Sequence, residues 1–517
     1  MMDYSDYHSE YNELLSKVAD DLGESFAALA SPTLSKQETV TLLYEKIKYN
    51  SKRELYLDIL FSMIMFLPRI IGTLLVMLYT SLRHEKTKVP TGAIYFRTWL
   101  VPKSFSQNRL RDDYFRILPV DLSKHYSVLL GYQSKNWTLV NKFFKSGRQK
   151  WEVLNMGILS VKDISKLFYE YLFKGLVRSS GSCFLNGKDI SVFINCSLLL
   201  DYLKLRSFQA FVEKYVCVCL QELNISTYVY VYENQSWEKV VCNVFQNTDV
   251  RVIAYQSSGF SPLFLNFFPT KSDAQRSPSP DIVLTVGDAF TDYMCSHAEY
   301  VVPVETFAAL RFSYPTENFR YIVKEPNNKV YRRILYAFSV HKKQYAGIIA
   351  DLVSVFGGSK IEIDLRFHPL YLQDQQDYSA ELPDNFHIIS DLDNNTINTT
   401  YDCVLFNDNS YGLESLLFGV KSYQYNREGI FIDDRFIRFE LWNPSLCFQD
   451  LFGLRNSIID GTLDKNLSVN KISDYMNYLY KPYTKNTLSF FEDKLPIRAT
   501  ACEVDRKDIR EIQCNWD

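Results

Sequence analysis

The feature that most constrains the fold is a regular alternation of short β-rich runs with helical segments between residues 90 and 440. The clearest strand is STYVYVY at residues 226–232, and a helical pattern over 236–245 and a second strand over 250–256 follow it. Strands that alternate with helices form a largely parallel sheet with helices on both faces. The sequence therefore predicts an α/β fold with doubly wound, Rossmann-like sheets.

The length of 517 residues predicts more than one such sheet, because single domains usually hold about 100–200 residues. A polar stretch with two prolines, PTENFRYIVKEPNN at residues 315–328, is the expected linker. The predicted organisation has four parts. They are an N-terminal helical segment (1–89), a first Rossmann-like domain (90–320), a second one (328–440) and a helical tail (441–517) that packs back on a cleft between the two domains.

Composition and charge exclude several classes of protein. Apolar residues make up 47% and charged residues 23% of the chain, which is typical of a globular protein. The net charge of −3 lacks the basic excess of a nucleic-acid-binding protein. The start of the chain is polar and acidic rather than apolar, which predicts a cytoplasmic location.

An apolar segment near the N-terminus predicts contact with a membrane surface. Two apolar runs, 59–67 and 70–79, are separated by Pro68 and Arg69, and each is about half as long as a bilayer-spanning helix. A charge at the centre of the segment disfavours a spanning helix. We therefore expect a kinked helical pair that contacts the membrane peripherally through residues 55–82, on the inner face of an inner membrane. A helical hairpin buried in the protein is the alternative.

The first candidate site follows the STYVYVY strand, in the motif YENQSWE at residues 232–238. Ligands of open α/β sheets bind at the carboxyl ends of the strands, so Glu233 is expected at the rim of a cleft. Partial shielding by Tyr232 and Trp237 would raise the pKa of this carboxyl group. Glu233 could then exchange protons with a substrate or bind an acceptor hydroxyl group.

The amides of Asn234 and Gln235 suit sugar hydroxyl groups, although a turn in which Asn234 or Ser236 merely caps a helix is an open alternative. Further candidates for acceptor or sugar binding are Trp237, Arg97, Gln256, Ser257, Ser258 and Arg311.

The second candidate site is Arg366-Phe367-His368-Pro369, at the end of a predicted strand over 361–367. A histidine at a strand end can donate a hydrogen bond to a phosphate oxygen, and Arg366 could add positive charge. Pro369 would stiffen the exit from the strand. An ordinary strand end is the alternative interpretation of the same residues.

The third candidate site is the helix start NSYGLES at residues 409–415, after the strand YDCVLF. The exposed N–H groups of a helix start bind phosphate well. Ser410 is the expected N-cap, next to Tyr411, and Gly412 would let a ligand approach the backbone. Glu414 lies four residues after Ser410, whereas a reciprocal capping box needs the acid at three, so Glu414 could hold ribose hydroxyl groups. A capped helix without a ligand is the alternative.

No metal ion or cofactor is expected. Asp391-Leu392-Asp393 matches the D-x-D pattern of metal-dependent transferases, but it lies in the polar stretch SDLDNNTINTT, which favours a loop.

The order and spacing of these motifs resemble bacterial GT-B glycosyltransferases of surface-polysaccharide assembly. The similarity is greatest to transferases that use CMP-activated 2-keto acid sugars, namely Kdo, sialic acid and pseudaminic acid. His368-Pro369 and Ser410 to Glu414 match the nucleotide-binding pattern of that group, with Asn409 in place of the first serine of its serine pair. YENQSWE resembles an acid-bearing signature of related surface-carbohydrate proteins, and GAIYFRTWLVPKSF (92–105) and DDYFRIL (112–118) resemble parts of the N-terminal domain of those proteins.

The resemblance implies a transferase that moves a sugar from a nucleotide sugar to a surface glycan or glycolipid, with the donor in the second domain and the acceptor in the first. It implies Glu233 as the catalytic carboxylate, His368 beside the leaving phosphate, metal independence and retention of configuration. A carboxylate of the sugar could meet Arg311. Three alternatives stay open: a UDP- or GDP-sugar transferase, a non-catalytic glycan-binding scaffold, and a sugar-nucleotide epimerase.

Overall fold

The predicted alternation of strands and helices forms two parallel sheets, one in each of two units of the chain. The structure, a computed structural model, describes residues 4–23, 25–37, 52–84, 90–106, 109–185, 187–260, 264–312, 333–339, 342–368, 371, 376–379, 382–389, 392, 397–407, 409–418, 420–425, 427, 447–448, 450–459 and 476–496. The first unit comprises Met1–Ser258, Leu263–Ser313 and Tyr480–Asp517, and the second comprises Gly259–Pro262 and Tyr314–Leu479. The predicted linker over 315–328 lies outside the described residues.

The first unit is built on a seven-stranded parallel sheet with the strand order β11-β10-β9-β8-β1-β4-β5. Its strands are β1 (Ile94–Trp99), β4 (Val128–Gln133), β5 (Glu152–Leu154), β8 (Thr227–Val231), β9 (Arg251–Tyr255), β10 (Ile282–Thr285) and β11 (Val304–Thr306). Two small antiparallel hairpins add β2 (Phe105–Ser106) with β3 (Arg109–Leu110) and β6 (Phe184–Leu185) with β7 (Lys188–Asp189). Every residue of β4, β8 and β10 is buried, as expected for strands covered by helices on both faces.

The helices of the first unit are α1 (Tyr4–Leu22), α2 (Phe26–Leu29), α3 (Lys52–Arg83), α4 (Leu118–Leu122), α5 (Trp137–Lys145), α6 (Val161–Lys174), α7 (Ser191–Leu203), α8 (Phe208–Glu222), α9 (Ser236–Phe245), α10 (Lys271–Arg276) and α11 (Asp288–His297). The predicted helix over 236–245 has these same bounds. The predicted strands over 226–232 and 250–256 are also present, as β8 and β9, and each is one residue shorter at both ends.

The second unit repeats the design with a six-stranded parallel sheet of order β14-β13-β12-β15-β16-β17. Its strands are β12 (Arg333–Ala337), β13 (Glu362–Arg366), β14 (Phe386–Ile389), β15 (Cys403–Phe406), β16 (Lys421–Tyr425) and β17 (Cys447–Phe448). Its helices are α12 (Tyr345–Phe356), α13 (Gln376–Ser379), α14 (Ile397–Thr400), α15 (Ser410–Leu417) and α16 (Leu451–Ile459). The prediction of two doubly wound, Rossmann-like domains is confirmed.

Each sheet has a point at which the chain reverses its direction of travel across the sheet. In the first unit the chain runs from β1 outward to β5 and then returns to place β8 on the other side of β1. In the second unit it runs from β12 to β14 and returns to place β15 on the other side of β12. Connections leave such a pair of strands in opposite directions, which opens a crevice at their carboxyl ends. Candidate ligand-binding residues should therefore follow β1, β8, β12 and β15.

The apolar N-terminal segment differs from the prediction of two short helices. α3 is one helix of 32 residues with Pro68 inside it. A proline removes one backbone hydrogen bond and crowds the preceding turn, so its helix needs support from elsewhere. Contacts on both sides of the proline supply that support. The ring centroids of Phe66 and Tyr202 are 5.0 Å apart, and those of Tyr79 and Trp137 are 4.5 Å apart.

Both ends of the described chain belong to the first unit. Near the N-terminus, Ser31 donates to the buried Asp201 carboxylate, and Lys36 forms an ion pair with Asp273. The C-terminal stretch around α17 (Lys485–Glu492) also packs here: Lys481 bonds to the backbone of residues 286 and 309, and Phe491 lies 5.4 Å from Phe307.

Candidate active site

The turn that follows β8 holds Glu233 at the crevice of the first sheet. Residues 232–235 connect β8 to α9, and Asn234 takes a left-handed backbone conformation with φ 49°. The side chain of Asn234 donates to the carbonyl of Asn266 at 2.6 Å, and the side chain of Asn266 donates back to the carbonyl of Glu233. Gln235 is the N-cap residue of α9 and makes no side-chain capping bond. The turn is thus organised by long-range contacts rather than by a capping side chain.

Two neighbouring side chains orient the Glu233 carboxylate. The amide of Gln235 donates to Glu233 Oε2, and its oxygen accepts a bond from Trp237 Nε1 at 2.8 Å. The indole can only donate, so it fixes which end of the Gln235 amide points toward Glu233. Burial raises the pKa of Glu233, while the charge of Arg97 and the Gln235 hydrogen bond partly oppose the shift.

A second carboxylate lies behind this turn. Glu238, at the start of α9, is buried, and its side chain accepts the backbone N–H groups of Glu233 at 3.0 Å and Asn234 at 2.9 Å. Burial raises the pKa of Glu238 well above its ordinary value, and the nearby Glu233 charge raises it further. A neighbouring negative charge disfavours ionisation of a buried carboxyl group, so the charge of Glu233 and burial act on Glu238 in the same direction. Glu238 lies within the YENQSWE motif, but the sequence did not distinguish it as a site residue.

Tyr114 lies within electrostatic reach of both Glu233 and Arg311. Burial raises the pKa of Tyr114 to about 12, and the charge of Glu233 raises it while that of Arg311 lowers it. Tyr114 is positioned by Asp112, whose carboxylate accepts hydrogen bonds from the N–H groups of residues 114, 115 and 116 and from the hydroxyl of Thr98 near the end of β1. Burial raises the pKa of Asp112 to about 6. The DDYFRIL motif therefore brings Tyr114 within electrostatic reach of Glu233, and its resemblance to related proteins was the sequence signal for it.

Arg97 is not at the surface of the crevice, and the expectation that it binds an acceptor is corrected. Its side chain is fully buried and forms an ion pair with the equally buried Glu213, with Arg97 Nη2 at 3.0 Å from the carboxylate. The guanidinium lies 3.7 Å from the ring centroids of both Trp99 and Trp237. Residue 97 points into the sheet face that α8 covers, so it holds Trp237 in place and reaches Glu233 only through its charge.

Gln256 and Ser257 are corrected in the same way. Gln256 is fully buried, and its amide oxygen accepts the backbone N–H of Val286, which joins the end of β9 to the end of β10. Its amide nitrogen donates to the carbonyl of Ser258. Ser257 is buried as well, whereas Ser258 is half-buried. Gln256 and Ser257 therefore pack at the carboxyl ends of the strands. Of Gln256, Ser257 and Ser258, only Ser258 is partly accessible to a substrate.

At the crevice of the second sheet, the helix start after β15 differs from the prediction by one residue. The N-cap of α15 is Asn409 rather than Ser410, and the Asn409 side chain accepts the N–H of Gly412 at 3.0 Å. The same side chain donates to the carbonyl of Ala337, the last residue of β12, at 2.7 Å. Asn409 therefore ties the two strands at the reversal point together, and it occupies one of the amides that a phosphate would otherwise use.

Gly412 is required for packing rather than for ligand approach. A Cβ atom at this position would overlap the ring of Phe406, the last residue of β15. The helix therefore rests directly on the strand end that precedes it. The expectation that Gly412 opens the backbone to a ligand is corrected.

Replacing Gly412 with alanine should destabilise the second unit by about 1–3 kcal/mol, because the buried Phe406 ring must move to admit the added methyl group. Gly453→Ala is the matched control in the same unit, since Gly453 lies in the first turn of α16, an added Cβ there would meet only the flexible end of the Asp450 side chain at 3.3 Å, and alanine in a helix is about 1 kcal/mol better than glycine. Urea unfolding curves of the two variants should move in opposite directions, and equal curves would contradict this packing.

Of three further predicted nucleotide-binding residues, Arg366 lies beside this helix, Glu414 lies in it, and His368 follows β13. The Arg366 guanidinium lies 4.1 Å from the centroid of the Tyr411 ring, so the arginine bridges from β13 across β12 to α15. Glu414, one turn into α15, is mostly buried, with 8% of its surface exposed. His368 follows β13 at the carboxyl edge, with its ring 6.3 Å from that of Tyr371. Pro369 lies outside the described residues.

Metal ligands do not gather in the parts of the chain that the structure describes: no group of three or more His, Cys, Asp or Glu side chains is placed to hold an ion. Asp391 and Asp393 of the D-x-D pattern are outside the described residues.

The described part of the chain thus forms two Rossmann-like α/β domains, each with polar residues at the reversal point of its sheet. No protein-family model and no curated protein sequence matches this chain. Solved structures with a similar course of the chain include the glycosyltransferase SnogD from Streptomyces nogalater, with 11% identity, a TM-score of 0.39 and coverage of 78% of this chain and 100% of that chain. UDP-N-acetylglucosamine 2-epimerase from Rickettsia bellii has 9% identity, a TM-score of 0.44 and coverage of 78% and 95%. The wall teichoic acid polymerase TagF has 11% identity, a TM-score of 0.38 and coverage of 90% and 100%.

Proposed function

We propose that this protein is a glycosyltransferase that uses a nucleotide-sugar donor, with Glu233 as its catalytic carboxylate. The observation that carries the proposal is the position of Glu233: a half-buried carboxylate with a raised pKa at the reversal point of a Rossmann-like sheet. A general base works best when its pKa lies near the working pH, and burial moves the pKa of Glu233 in that direction. A purely structural turn would not need Trp237 and Gln235 to orient the carboxylate.

In the proposed reaction, the acceptor hydroxyl attacks the anomeric carbon of the donor sugar as its proton passes to Glu233. The bond from the sugar to the nucleotide phosphate breaks, and the phosphate leaves with the bonding electron pair. Gln235 keeps the carboxylate turned in one direction, and Arg311 offers a positive charge for an anionic group of the sugar. We propose no metal ion and no further cofactor for this step.

The proposed donor site is the crevice of the second sheet. His368 would donate a hydrogen bond to the phosphate, and the N-terminus of α15 would add the partial positive charge of its backbone amides. Glu414 would hold ribose hydroxyl groups, and Arg366 with Tyr411 would form a flat cationic surface beside the nucleotide. Asn409 accepts the hydrogen bond of the Gly412 amide, which leaves fewer free amides at this helix start for a phosphate.

A helix start with few free amides favours a donor with one phosphate, so we propose a CMP-linked 2-keto acid sugar, in agreement with the motif resemblance. A UDP- or GDP-sugar is the alternative, and its second phosphate would require more positive charge than Arg366 and His368 supply. The proposed acceptor is a surface glycan or glycolipid, reached at the cytoplasmic side of a membrane.

The donor class is tested by incubating the purified full chain with an acceptor glycan preparation and CMP-Kdo, CMP-sialic acid, CMP-pseudaminic acid, or a panel of UDP- and GDP-sugars. Mass spectrometry of the released nucleotide should show CMP, and CMP should raise the melting temperature more than UDP or GDP does. His368→Ala should weaken CMP binding by about tenfold, the value of one charge-assisted hydrogen bond. UDP or GDP release would replace the CMP proposal, and no turnover of any donor would favour a binding scaffold.

A further inference from the structure

The long helix α3 exposes its apolar side chains to solvent, which is the reverse of a helix on a water-soluble surface. Its solvent-exposed positions between Tyr56 and Leu82 are all uncharged, and the large apolar side chains among them are Tyr56, Leu57, Leu60, Phe61, Met63, Ile64, Leu67, Ile71, Leu75 and Leu82. Apolar side chains on a surface helix normally face the protein. We refer to this exposed surface as the apolar face.

The polar groups of α3 are directed at the protein instead. Asp58 forms an ion pair with Lys204 at 2.6 Å, and Arg69 donates to the carbonyl of Leu203 at 3.3 Å. Ser62 and Thr80 are fully buried. The helix directs its polar side chains at the unit and leaves its apolar ones uncovered, which is the arrangement expected when the outer surroundings are less polar than the inner contacts.

Contacts with the unit run along the whole helix. They begin at Asp58, continue through Phe66 on Tyr202, and extend to Ser81, which donates to the carbonyl of Leu159 at 2.8 Å. Among the described helices, α3 is the one long and apolar enough to cross a membrane. A helix attached lengthwise to a charged domain cannot enter the hydrocarbon core without that domain, so the apolar face would lie along a bilayer surface.

A neighbouring helix extends the same surface and adds positive charge. Tyr202, which packs on Phe66 of α3, also donates to the carbonyl of Leu172 near the end of α6. The exposed residues around this end of α6 are Lys166, Tyr169, Leu172, Phe173, Lys174, Leu176 and Arg178. The acids of α6 are engaged, since Asp163 caps the helix and Glu170 pairs with Lys214 at 2.7 Å. Exposed aromatic side chains among lysines are typical of proteins that bind anionic membrane surfaces.

We propose that the apolar face of α3, together with the basic and aromatic end of α6, docks this protein onto an anionic lipid bilayer, with α3 parallel to the membrane plane. The length of the uncovered face, about 40 Å at 1.5 Å per residue, suits an extended lipid surface. This inference concerns a surface other than Glu233 and does not rest on the proposed function.

The test is flotation of the full chain with vesicles of phosphatidylcholine and phosphatidylglycerol, compared with vesicles of phosphatidylcholine alone. Wild type should float with the anionic vesicles and less with the neutral ones. Ile64→Glu and Leu67→Glu should each weaken binding about tenfold or more, because each places a charge at the depth of the acyl chains. Lys166→Ser with Lys174→Ser should reduce the preference for anionic vesicles.

Val301→Glu is the matched control, because Val301 is exposed to 63% and Ile64 to 66%, and both belong to the first unit. It should float as wild type does, and circular dichroism melts should show that all variants fold. Two results would overturn the proposal: wild-type protein that does not float, or flotation that Ile64→Glu leaves unchanged. Sedimentation without lipid can give a third such result. If the wild type forms a dimer that Ile64→Glu dissociates, and if it does not float, the apolar face is a contact between two copies.

Discussion

Glu233→Gln should lower the rate of sugar transfer by about 10²–10⁴-fold while the affinity for the donor nucleotide stays unchanged. Glutamine keeps the size and hydrogen-bonding capacity of the side chain but cannot accept the proton of the acceptor hydroxyl. Nucleotide binding is proposed for the second unit, so it has no reason to change. Initial rates with the active donor of the panel and calorimetric titration with its nucleotide measure the two quantities separately.

The pH dependence of the wild-type rate gives a second measurement on the same residue. Burial raises the pKa of Glu233 above the ordinary range of a carboxyl group, and a base must be ionised to accept a proton. The rate should therefore rise with pH through a pKa above that range, and Glu233→Gln should remove this rise. Glu299→Gln, at an exposed carboxylate of the same unit, should keep both the rate and the profile. Full activity of Glu233→Gln would contradict the assignment of Glu233 as the catalytic base.

Arg97→Met should destabilise the first unit by about 3–5 kcal/mol, because it leaves the Glu213 carboxylate buried without its charge partner. Both side chains of the pair are fully buried, so water cannot replace the missing guanidinium. Methionine has nearly the length of arginine, which limits the cavity left beside Trp99 and Trp237. Urea unfolding followed by tryptophan fluorescence measures the loss.

The matched control for this prediction is Lys214→Met, which removes the charge partner of Glu170 from a half-buried pair. That substitution should cost only about 0–1 kcal/mol, as accessible ion pairs usually do. Arg97→Met combined with Glu213→Gln should recover part of the loss, because no buried charge is then left alone. Since the charge of Arg97 lowers the pKa of Glu233, Arg97→Met should also move the pH profile upward. A cost for Arg97→Met no larger than that for Lys214→Met would contradict the structural role.

The order of strands and helices was predictable from the chain itself, because the patterns that specify them are local. STYVYVY alternates aromatic with β-branched side chains, as a buried strand does. The turn after it was recognisable from its polar residues. Knowledge that parallel sheets bind ligands at their carboxyl ends then placed Glu233, His368 and the α15 helix start at the correct edge. These positions follow from where each strand ends, and no distant contact is needed to find them.

The roles of several residues depended on partners far away in the sequence, which only the tertiary structure decided. Arg97 was a plausible sugar ligand until its partner appeared at position 213, and Gly412 was a plausible ligand contact until Phe406 was found beneath it. The orientation of α3 is of the same kind, since its composition does not say which side faces the protein. Local sequence sets the period of an element, but the environment of each side chain depends on what packs against it, and that is a property of the folded chain.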